Sequence, residues 1–244
     1  MSTGKVYMRK ILIANDDGIN SEGLAMLAAV AKKFGEVWVV APDSQRSAMS
    51  HYSTFWRGVD VWPVDFPVED VHAYACSGTP ADCVRLGIIA VVPGGPDNVF
   101  CGINLGYNIA SDIQYSATVG AAFEGAALKK HTIAFSKEYD GLDDVTMKYI
   151  EEITAKLLDE PLGPDEVWNV NFPGCPPDEC KGVLYDCRVS TDSFDVPGYN
   201  VIAKDGDKVT YRVDYVRTWK GSEGTDLYAV VNKYVSVGKV KNIS

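Results

Sequence analysis

The sequence predicts an α/β fold, in which a doubly wound, mostly parallel sheet is followed by a β-rich C-terminal extension. Short apolar runs alternate with segments of helical periodicity through residues 1–160, and a helix joins the first two runs in a βαβ unit. From about Gly174 onward, period-two runs punctuated by Gly, Pro and Asp replace the helical pattern. We therefore divide the chain into a core, residues 1–173, and a β-rich C-terminal segment, residues 174–244.

The first βαβ unit sets the direction of the sheet. The apolar run 11–14 is predicted as a buried strand, Ser21 as the N-cap of a helix that ends at Gly35, and 37–40 as the second strand. A short crossover of this kind joins parallel strands and places helices on both faces of the sheet. The same patterns predict strands at 71–75, 98–102, 132–135 and 167–172, and helices at 80–90, 119–129 and 144–158. The apolar stripe of the last helix consists of Met147, Ile150, Ile153 and Leu157.

The C-terminal segment contains no helical periodicity. Its clearest pattern is the period-two run 208–219. An extra antiparallel sheet, an extended hairpin arm and a dimerisation element all fit this run, and the sequence does not choose among them.

Composition limits what the protein binds and where it acts. The 244 residues carry a formal net charge of −10, which argues against nucleic-acid polymers because their phosphates are bound by Lys and Arg. No apolar run approaches the roughly 20 residues of a membrane span, and residues 1–5 lead into a strand rather than into a signal-type segment. We therefore expect a cytoplasmic protein with no membrane association. A small phosphate ligand would need local positive charge from a metal, a helix N-terminus or an arginine.

The six cysteines do not form a recognisable metal motif. Three of them lie in or beside apolar segments, where reduced thiols pack as small apolar groups: Cys76, Cys83 and Cys101. No C-x-x-C pair anchors the other three, but a redox or metal cluster remains open for Cys175, Cys180 and Cys187.

Two adjacent carboxylates follow the first predicted strand. Asp16 and Asp17 lie within residues 15–18, directly behind the apolar run. Like charges at the end of a buried strand favour a cation, and carboxylate oxygens select a hard metal such as Mg²⁺, Mn²⁺ or Ca²⁺. The alternative is that these four residues are only a turn leaving the strand.

Other polar clusters follow the next three strands. In an open parallel sheet, ligands bind beyond the carboxyl ends of the strands, so we expect these clusters to share one edge. Together they supply carboxylate, hydroxyl and amide oxygens, from Asp43, Arg46 and Ser47 after the second strand, Ser77, Gly78 and Thr79 after the third, and Asn104 and Asn108 after the fourth.

Two predicted helices begin in ways that suit an anion. Thr79, Pro80 and Asp82 have the spacing of an N-cap, a first helical position and a capping box, and capping alone explains all three. Residues 115–120 lead into a helix N-terminus whose free N–H groups favour phosphate. Capping by Thr118 is the alternative explanation there.

These motifs, in this order, resemble those of the SurE family. The resemblance rests on NDDGI at 15–19, APD at 41–43 with RS at 46–47, SGTPADCV at 77–84, GINLGYN at 102–108 and YSATVGAAFEG at 115–125. It runs in register over most of residues 9–136 and continues weakly through NVNFP at 169–173 and GTD at 224–226, ending near Val237. It implies a Rossmann-like core, a C-terminal arm used in oligomerisation to a homodimer or homotetramer, and metal-dependent 5′-nucleotidase activity that extends to other phosphomonoesters.

The resemblance also implies a set of site residues. One divalent ion per subunit, Mg²⁺, Mn²⁺ or Ca²⁺, would be held by Asp16, Asp17, Ser47 and Asn104, of which the two aspartates are the catalytic candidates. The phosphate and substrate pocket would include Asn15, His51, Gly106, Asn108, Ser116, Thr118, Gly120 and Glu124. Roles in turns and helix packing remain alternatives for three of these, Gly106, Gly120 and Glu124.

The chain departs from the family pattern at two places. SHY at 50–52 stands where the family usually has Gly-His-Ser, and SAT at 116–118 stands where it usually has Ser-Gly-Thr. The bulk of Tyr52 bears on nucleoside specificity more than on phosphate hydrolysis. His72 and His131, in or beside strand-like runs, are assigned to packing.

The predicted reaction is hydrolysis of a phosphomonoester, most directly a nucleoside monophosphate, by a metal-activated water, with the helix N-terminus at 116–118 stabilising the phosphoryl oxygens. One alternative is a covalent aspartyl-phosphate, as in haloacid-dehalogenase-like phosphatases. That family has Asp-x-Asp after the strand, whereas strand alternation allows only one of two adjacent carboxylates to face the site. The other alternative is a non-catalytic nucleotide- or metal-binding module on the same fold.

Overall fold

The computed structural model describes residues 8–139 and 142–242, so the predicted lead-in at residues 1–5 lies outside the described residues. The strands are β1 (Lys10–Ala14), β2 (Glu36–Pro42), β3 (Val61–Pro63), β4 (Val71–Cys76), β5 (Asn98–Leu105), β6 (His131–Lys137), β7 (Glu166–Phe172), β8 (Val183–Leu184), β9 (Asp195–Asp205), β10 (Lys208–Arg217) and β11 (Val235–Lys241). The α-helices are α1 (Glu22–Ala31), α2 (Pro80–Leu86), α3 (Ala117–Ala127), α4 (Asp144–Leu157) and α5 (Asp226–Val231). A π-helical turn (Gly87–Val91) and a 3₁₀ helix (Ala110–Gln114) complete the helical segments of the described chain.

A mixed sheet of nine described strands forms the centre of the molecule, in the order β3-β4-β2-β1-β5-β6-β7-β11-β8. The six strands from β4 to β7 along this order run parallel to their neighbours. Near the two edges, β3 and β11 pair antiparallel with β4 and β7. The predicted fold class, a mostly parallel α/β sheet with a β-rich extension, is confirmed.

The central strand β1 is apolar on both of its faces. Ile11 and Ile13 pack with α1 and α4 on one side of the sheet, whereas Leu12 and Ala14 pack with α2 and α3 on the other side. Parallel strands covered by helices on both faces have this continuous apolar sequence, which is why the run 11–14 is a reliable strand signal. β1 pairs with β2 and β5, so the residues that follow it emerge between two other strand ends.

Most predicted elements are found close to their predicted bounds, with a few differences. α1 has its predicted N-cap at Ser21 but ends at Ala31, four residues before Gly35. The predicted helix 80–90 consists of α2 and a π-helical turn that begins at Gly87. In α4 the predicted apolar stripe is wrong at Met147, whose side chain is exposed, while the other three members of the stripe are buried.

Several short described elements were not predicted from the sequence, β3 and α5 among them. β3 has three residues, too few to show strand alternation. The expectation of no helix beyond Gly174 is wrong, because Thr225 caps α5 and accepts the N–H of Tyr228. With six residues, α5 is shorter than two helical turns and cannot display a stripe.

The C-terminal segment combines an exposed hairpin with a return to the main sheet. β9 and β10 form a two-stranded antiparallel sheet of their own, an extended hairpin that fits the three arrangements the sequence allowed. β11 then pairs with β7. The division at residue 173 and a role of the hairpin in oligomerisation remain predictions. Across residues 8–139 and 142–242, no helix has the length and apolar character needed to cross a membrane.

Candidate active site at the carboxyl edge of the sheet

Asn15 organises the turn that follows β1. Its amide nitrogen donates to the carbonyl oxygen of Gly18 (3.0 Å) and to Oγ of Ser21 (2.7 Å), and its Oδ1 accepts the N–H of Gly18 (3.2 Å). Gly18 has a φ of +97°, which a residue with a side chain rarely adopts. Asn15 is fully buried, and this network turns the chain so that the next two residues lie beyond the end of the strand.

Asp16 is a buried carboxylate, with 3% of its surface exposed. The hydroxyl of Thr118, in the first turn of α3, donates to its Oδ1. Burial raises the pKa of Asp16 to about 7; the Thr118 hydrogen bond opposes this shift, and repulsion from Asp17 adds to it. An ionised Asp16 is therefore costly in the protein alone, and a nearby cation would remove that cost.

Asp17 and Asn104 meet where β1 and β5 end. Oδ2 of Asp17 accepts the N–H of Leu105 (3.2 Å), and burial raises the pKa of Asp17 above its usual value. The amide nitrogen of Asn104 donates to the carbonyl oxygen of Gly106 (2.8 Å), which leaves its carbonyl oxygen as the end available to a cation. β5 extends beyond its predicted end at residue 102, so Asn104 belongs to the strand rather than to a loop after it.

The loop after β2 brings Ser47 alongside the aspartates. The N–H of Arg46 donates to the backbone oxygen of Asp16 (2.7 Å), which ties this loop to the end of β1. The side chain of Gln45 contacts Asp17 and also donates to Oγ of Ser47 (3.2 Å). Ser47 is exposed, so its hydroxyl is accessible to a ligand.

This donor set suits a hard divalent cation. It offers two carboxylates, one hydroxyl and one amide oxygen, the ligand types that Mg²⁺, Mn²⁺ and Ca²⁺ accept. Within the part of the chain that the structure describes, no three His, Cys, Asp or Glu side chains gather as a metal-binding group. That result excludes a cysteine- or histidine-rich centre there and is compatible with a site built from only two carboxylates. The chemistry of the residues present therefore fits the implied metal.

The first turn of α3 lies at the same carboxyl edge of the sheet, next to Asp16. Ser116 is its N-cap, and Oγ of Ser116 accepts the N–H of Val119 (3.1 Å). Capping by Thr118, one of the two alternatives for this segment, is thus wrong, because the hydroxyl of Thr118 is directed to Asp16. Both hydroxyl residues are buried, and the helix N-terminus between them retains free N–H groups for an anion.

The buried carboxylate of Glu124 contacts two partly exposed side chains, His51 and Arg85. Oε2 of Glu124 lies 2.9 Å from Nε2 of His51, and Oε1 accepts from Nε of Arg85 (2.7 Å). Burial alone would raise the pKa of Glu124, but the hydrogen bonds of His51 and Arg85 outweigh it and lower the pKa. Arg85 was not singled out from the sequence, where it appears only as a basic residue in the last turn of α2.

Gly120 lies against the loop that carries His51. A Cβ at this position would come within 2.4 Å of the backbone oxygen of Ser50. The same loop is tied to the start of α3, since Ser50 donates from its N–H to the oxygen of Tyr115 (3.1 Å) and from Oγ to the oxygen of Gln114 (2.9 Å). The observed geometry supports helix packing as a role of Gly120.

Asn108 is part of a buried polar network. Its amide nitrogen donates to Oγ of Ser136 (2.8 Å), and its backbone N–H donates to Oδ1 of Asn171 (2.8 Å). The amide nitrogen of Asn169 donates to the backbone oxygen of Asn108 (2.8 Å). Gly106, two residues before it, has a φ of +126°, as a turn after β5 requires.

Asp226 is a buried carboxylate that was not among the site residues predicted from the sequence. Its carboxylate accepts the N–H groups of Ala110 (2.9 Å) and Ser190 (2.9 Å), so it joins α5 to the chain just beyond Asn108. Burial raises its pKa. The GTD triplet at 224–226 was the available signal, because it belongs to the weak part of the family resemblance.

The comparisons with known proteins decide the family. A family model described as Survival protein SurE matches residues 11–195, about three quarters of the chain. The chain belongs to the SurE family. Among its SurE relatives, 5′-nucleotidase SurE of Clostridium botulinum (strain Loch Maree / Type A3) is 40% identical over 231 residues, covering 93% of this chain and 90% of the relative. 5′-nucleotidase SurE of Brucella abortus (strain S19) is 39% identical over 182 residues, covering 71% of this chain and 69% of the relative.

A solved SurE structure has the same fold. The crystal structure of the SurE protein from Aquifex aeolicus superposes with a TM-score of 0.81 at 33% sequence identity, covering 96% of this chain and 94% of that one. The family resemblance found in the sequence is therefore confirmed by both kinds of comparison.

Proposed function

We propose that this SurE chain is a divalent-metal-dependent 5′-nucleotidase that releases phosphate from nucleoside monophosphates. The observation that carries the proposal is the Asp16–Asp17 pair beyond β1, where a buried carboxylate has a pKa raised to about 7 beside a second carboxylate. The names of the relatives from C. botulinum and B. abortus, both 5′-nucleotidases, support the same activity. No observation specifically favours a non-catalytic module or an aspartyl-phosphate intermediate.

In the proposed site, one divalent ion per subunit is held by oxygen atoms of Asp16, Asp17, Ser47 and Asn104. When bound, the ion supplies Lewis-acid polarisation of the phosphoryl group and lowers the pKa of water. Asp17, the more exposed of the two aspartates, orients the attacking water, while Asp16 is fixed by the Thr118 hydroxyl. The free N–H groups at the start of α3 bind the phosphoryl oxygens, where the positive end of the helix dipole favours developing negative charge.

The remaining pocket residues hold the metal-binding and phosphate-binding groups in position. Asn15 holds the turn that presents the aspartates, and Ser116 caps the phosphate-binding helix. Asn108 and Gly106 shape the chain beyond β5, and Gly120 lets the His51 loop approach α3. Ser47 and Ser50 belong to that same loop, so its position determines the metal site as well as the pocket wall.

We further propose that the subunits associate as a homodimer or homotetramer through the β9–β10 hairpin. Paired residues of an antiparallel ladder lie on one face, and the register pairs Tyr199 with Val213 and Val201 with Tyr211. All four are exposed in the single chain. A long, apolar, unpartnered hairpin favours association with another chain.

Phosphate release from nucleoside monophosphates tests the proposed activity. The protein is first treated with a chelator and then assayed with Mg²⁺, Mn²⁺ or Ca²⁺ against a panel of the common 5′-monophosphates. We expect release with at least one metal, loss of release with chelator, and recovery when the metal is restored. Nucleotide binding without turnover under every metal would instead favour the non-catalytic module.

A further inference from the structure

Three exposed aromatic side chains lie on the loop that follows Ser47, and a fourth directly precedes the N-cap of α3, where the N–H of Ser50 from the same loop donates to its backbone oxygen. We name them the aromatic rim: Tyr52, Phe55, Trp56 and Tyr115. Their exposed fractions are 60%, 72%, 98% and 66%, respectively. Large aromatic side chains usually bury most of their surface, so exposed ones on two segments that are hydrogen-bonded to each other point to a ligand or a partner.

The backbone beneath the rim is held on both sides. The hydroxyl of Thr79 donates to the backbone oxygen of Tyr52 (2.7 Å), and the carboxylate of Asp82 accepts from Oγ of Ser53 (2.9 Å) and from the N–H of Thr54 (3.0 Å). These bonds fix the loop on the N-terminus of α2. The backbone that carries Tyr52 is therefore anchored through residues 52–54, which limits the backbone ordering that binding of a planar ligand would require.

Two members of the rim, Tyr115 and Tyr52, lie close along the chain to residues of the proposed site. Tyr115 directly precedes Ser116, the N-cap of α3, and its backbone oxygen accepts the N–H of Ser50. Tyr52 is two residues beyond Ser50 and five beyond Ser47. A nucleotide whose phosphate lies at the start of α3 would extend its base, one ribose away, toward this rim.

We infer that the aromatic rim is a stacking surface for the nucleobase of the substrate. This inference rests on the proposed nucleotidase function and adds to it the part of the site that distinguishes nucleotides from phosphomonoesters without a base. Base–aromatic stacking tolerates any base because each has a π-face, so the rim favours nucleotides as a class rather than one nucleotide. The guanidinium of Arg85, which donates to Glu124, lies 5.8 Å from the centre of the Phe55 ring.

The test compares a substrate that has a base with one that lacks it. kcat/KM is measured for adenosine 5′-monophosphate and for ribose 5-phosphate in the wild type, in Tyr52→Ala and in Trp56→Ala. We expect the ratio of the two values to fall roughly 5- to 150-fold in the alanine variants, the range for loss of one stacked ring. Tyr52→Phe keeps the ring and is the matched control, in which the ratio is retained. An unchanged ratio in both alanine variants would overturn the inference, whether or not the oligomeric state of these variants changes.

Binding gives a second readout that does not require turnover. Adenosine 5′-monophosphate should quench the fluorescence of Trp56, and Trp56→Phe should lose this quenching, whereas ribose 5-phosphate should not quench. If neither compound is hydrolysed by the wild type, the proposed function fails and the quenching alone decides whether the rim binds a base. Equal quenching by both compounds, or none by the nucleotide, would contradict stacking.

Discussion

At the residue scale, the site depends on the carboxylates of Asp16 and Asp17, whose ionised forms are disfavoured by burial unless a cation binds them. Asp16 and Asp17 were identified from sequence because adjacent carboxylates behind an apolar run need an explanation. The sequence could not identify Arg85 as the partner of Glu124, because the two residues are 39 positions apart and only the packing of α2 on α3 joins them. The sequence also could not predict the role of Thr118, because its hydroxyl donates to the carboxylate of Asp16, 102 positions away, rather than capping its own helix.

Asp17→Asn should separate catalysis from folding. An amide can still accept the N–H of Leu105, but it removes a negative charge from the metal site, so we expect kcat/KM for nucleoside monophosphates to fall about 100-fold or more. The melting temperature of the metal-free variant should be equal to or higher than that of the wild type, because repulsion of Asp16 is removed. Phosphate release and thermal unfolding measure the two effects. A loss of stability in proportion to the loss of activity would make Asp17 a structural residue.

Glu124→Gln should change the dependence of stability on pH. The pKa of Glu124 is lowered in the folded protein, so its ionised form stabilises the fold at pH values above the usual value of 4.5. This contribution is lost as the pH falls from 4.5 through the lower folded pKa. We expect the wild type to be more stable than Glu124→Gln at neutral pH and this difference to shrink in that acidic window. Denaturant unfolding at a series of pH values measures it, and a difference independent of pH would contradict the assignment.

At the element scale, the core strands and long helices could be predicted because each carries its own periodic signal. β1, β2 and β4 are apolar runs of several residues, and α4 buries Ile150, Ile153 and Leu157 at helical spacing. β3 and α5 could not be predicted because they have too few residues to show strand or helix periodicity. They form where neighbouring segments supply hydrogen bonds. The end of α2 was missed for the same reason, since nothing local marks the change to a π-helical turn at Gly87.

The contact between α3 and the His51 loop can be tested at Gly120. In Gly120→Ala the new Cβ meets the backbone oxygen of Ser50 at 2.4 Å, so the loop must move. We expect a loss of about 1–3 kcal/mol in the free energy of unfolding, which outweighs the gain in helix propensity, together with reduced phosphatase activity as Ser47 shifts. Gly58→Ala is the control, because its Cβ would meet nothing within 4 Å. Equal behaviour of the two variants would show that the close approach is not needed.

At the scale of the whole molecule, the β9–β10 hairpin forms a sheet separate from the main one. The period-two run 208–219 was enough to predict a strand in this region, but the sequence could not choose between an added sheet and an arm. That choice depends on whether the strands find partners in the same chain. In the described structure, β9 and β10 pair only with each other.

Charging one face of the hairpin should dissociate the assembly. Val201→Glu combined with Val213→Glu places two carboxylates among the exposed apolar residues of that face. We expect the mass measured by light scattering to fall from a dimer or tetramer to the 26.6 kDa of one chain. Asn200→Glu, on the opposite face, is the control and should leave the mass unchanged. A wild type that is already monomeric would contradict the proposed role of the arm.

The central claim is that oxygen atoms from three separate strand ends meet around one divalent cation. Anomalous diffraction from a crystal grown with Mn²⁺ tests this claim most directly. We predict one strong anomalous peak per chain, roughly 2.0–2.6 Å from oxygen atoms of Asp16, Asp17, Ser47 and Asn104, the distance range for hard cations with oxygen ligands. A map with no peak between these side chains, or with its main peak elsewhere in the chain, would contradict the account.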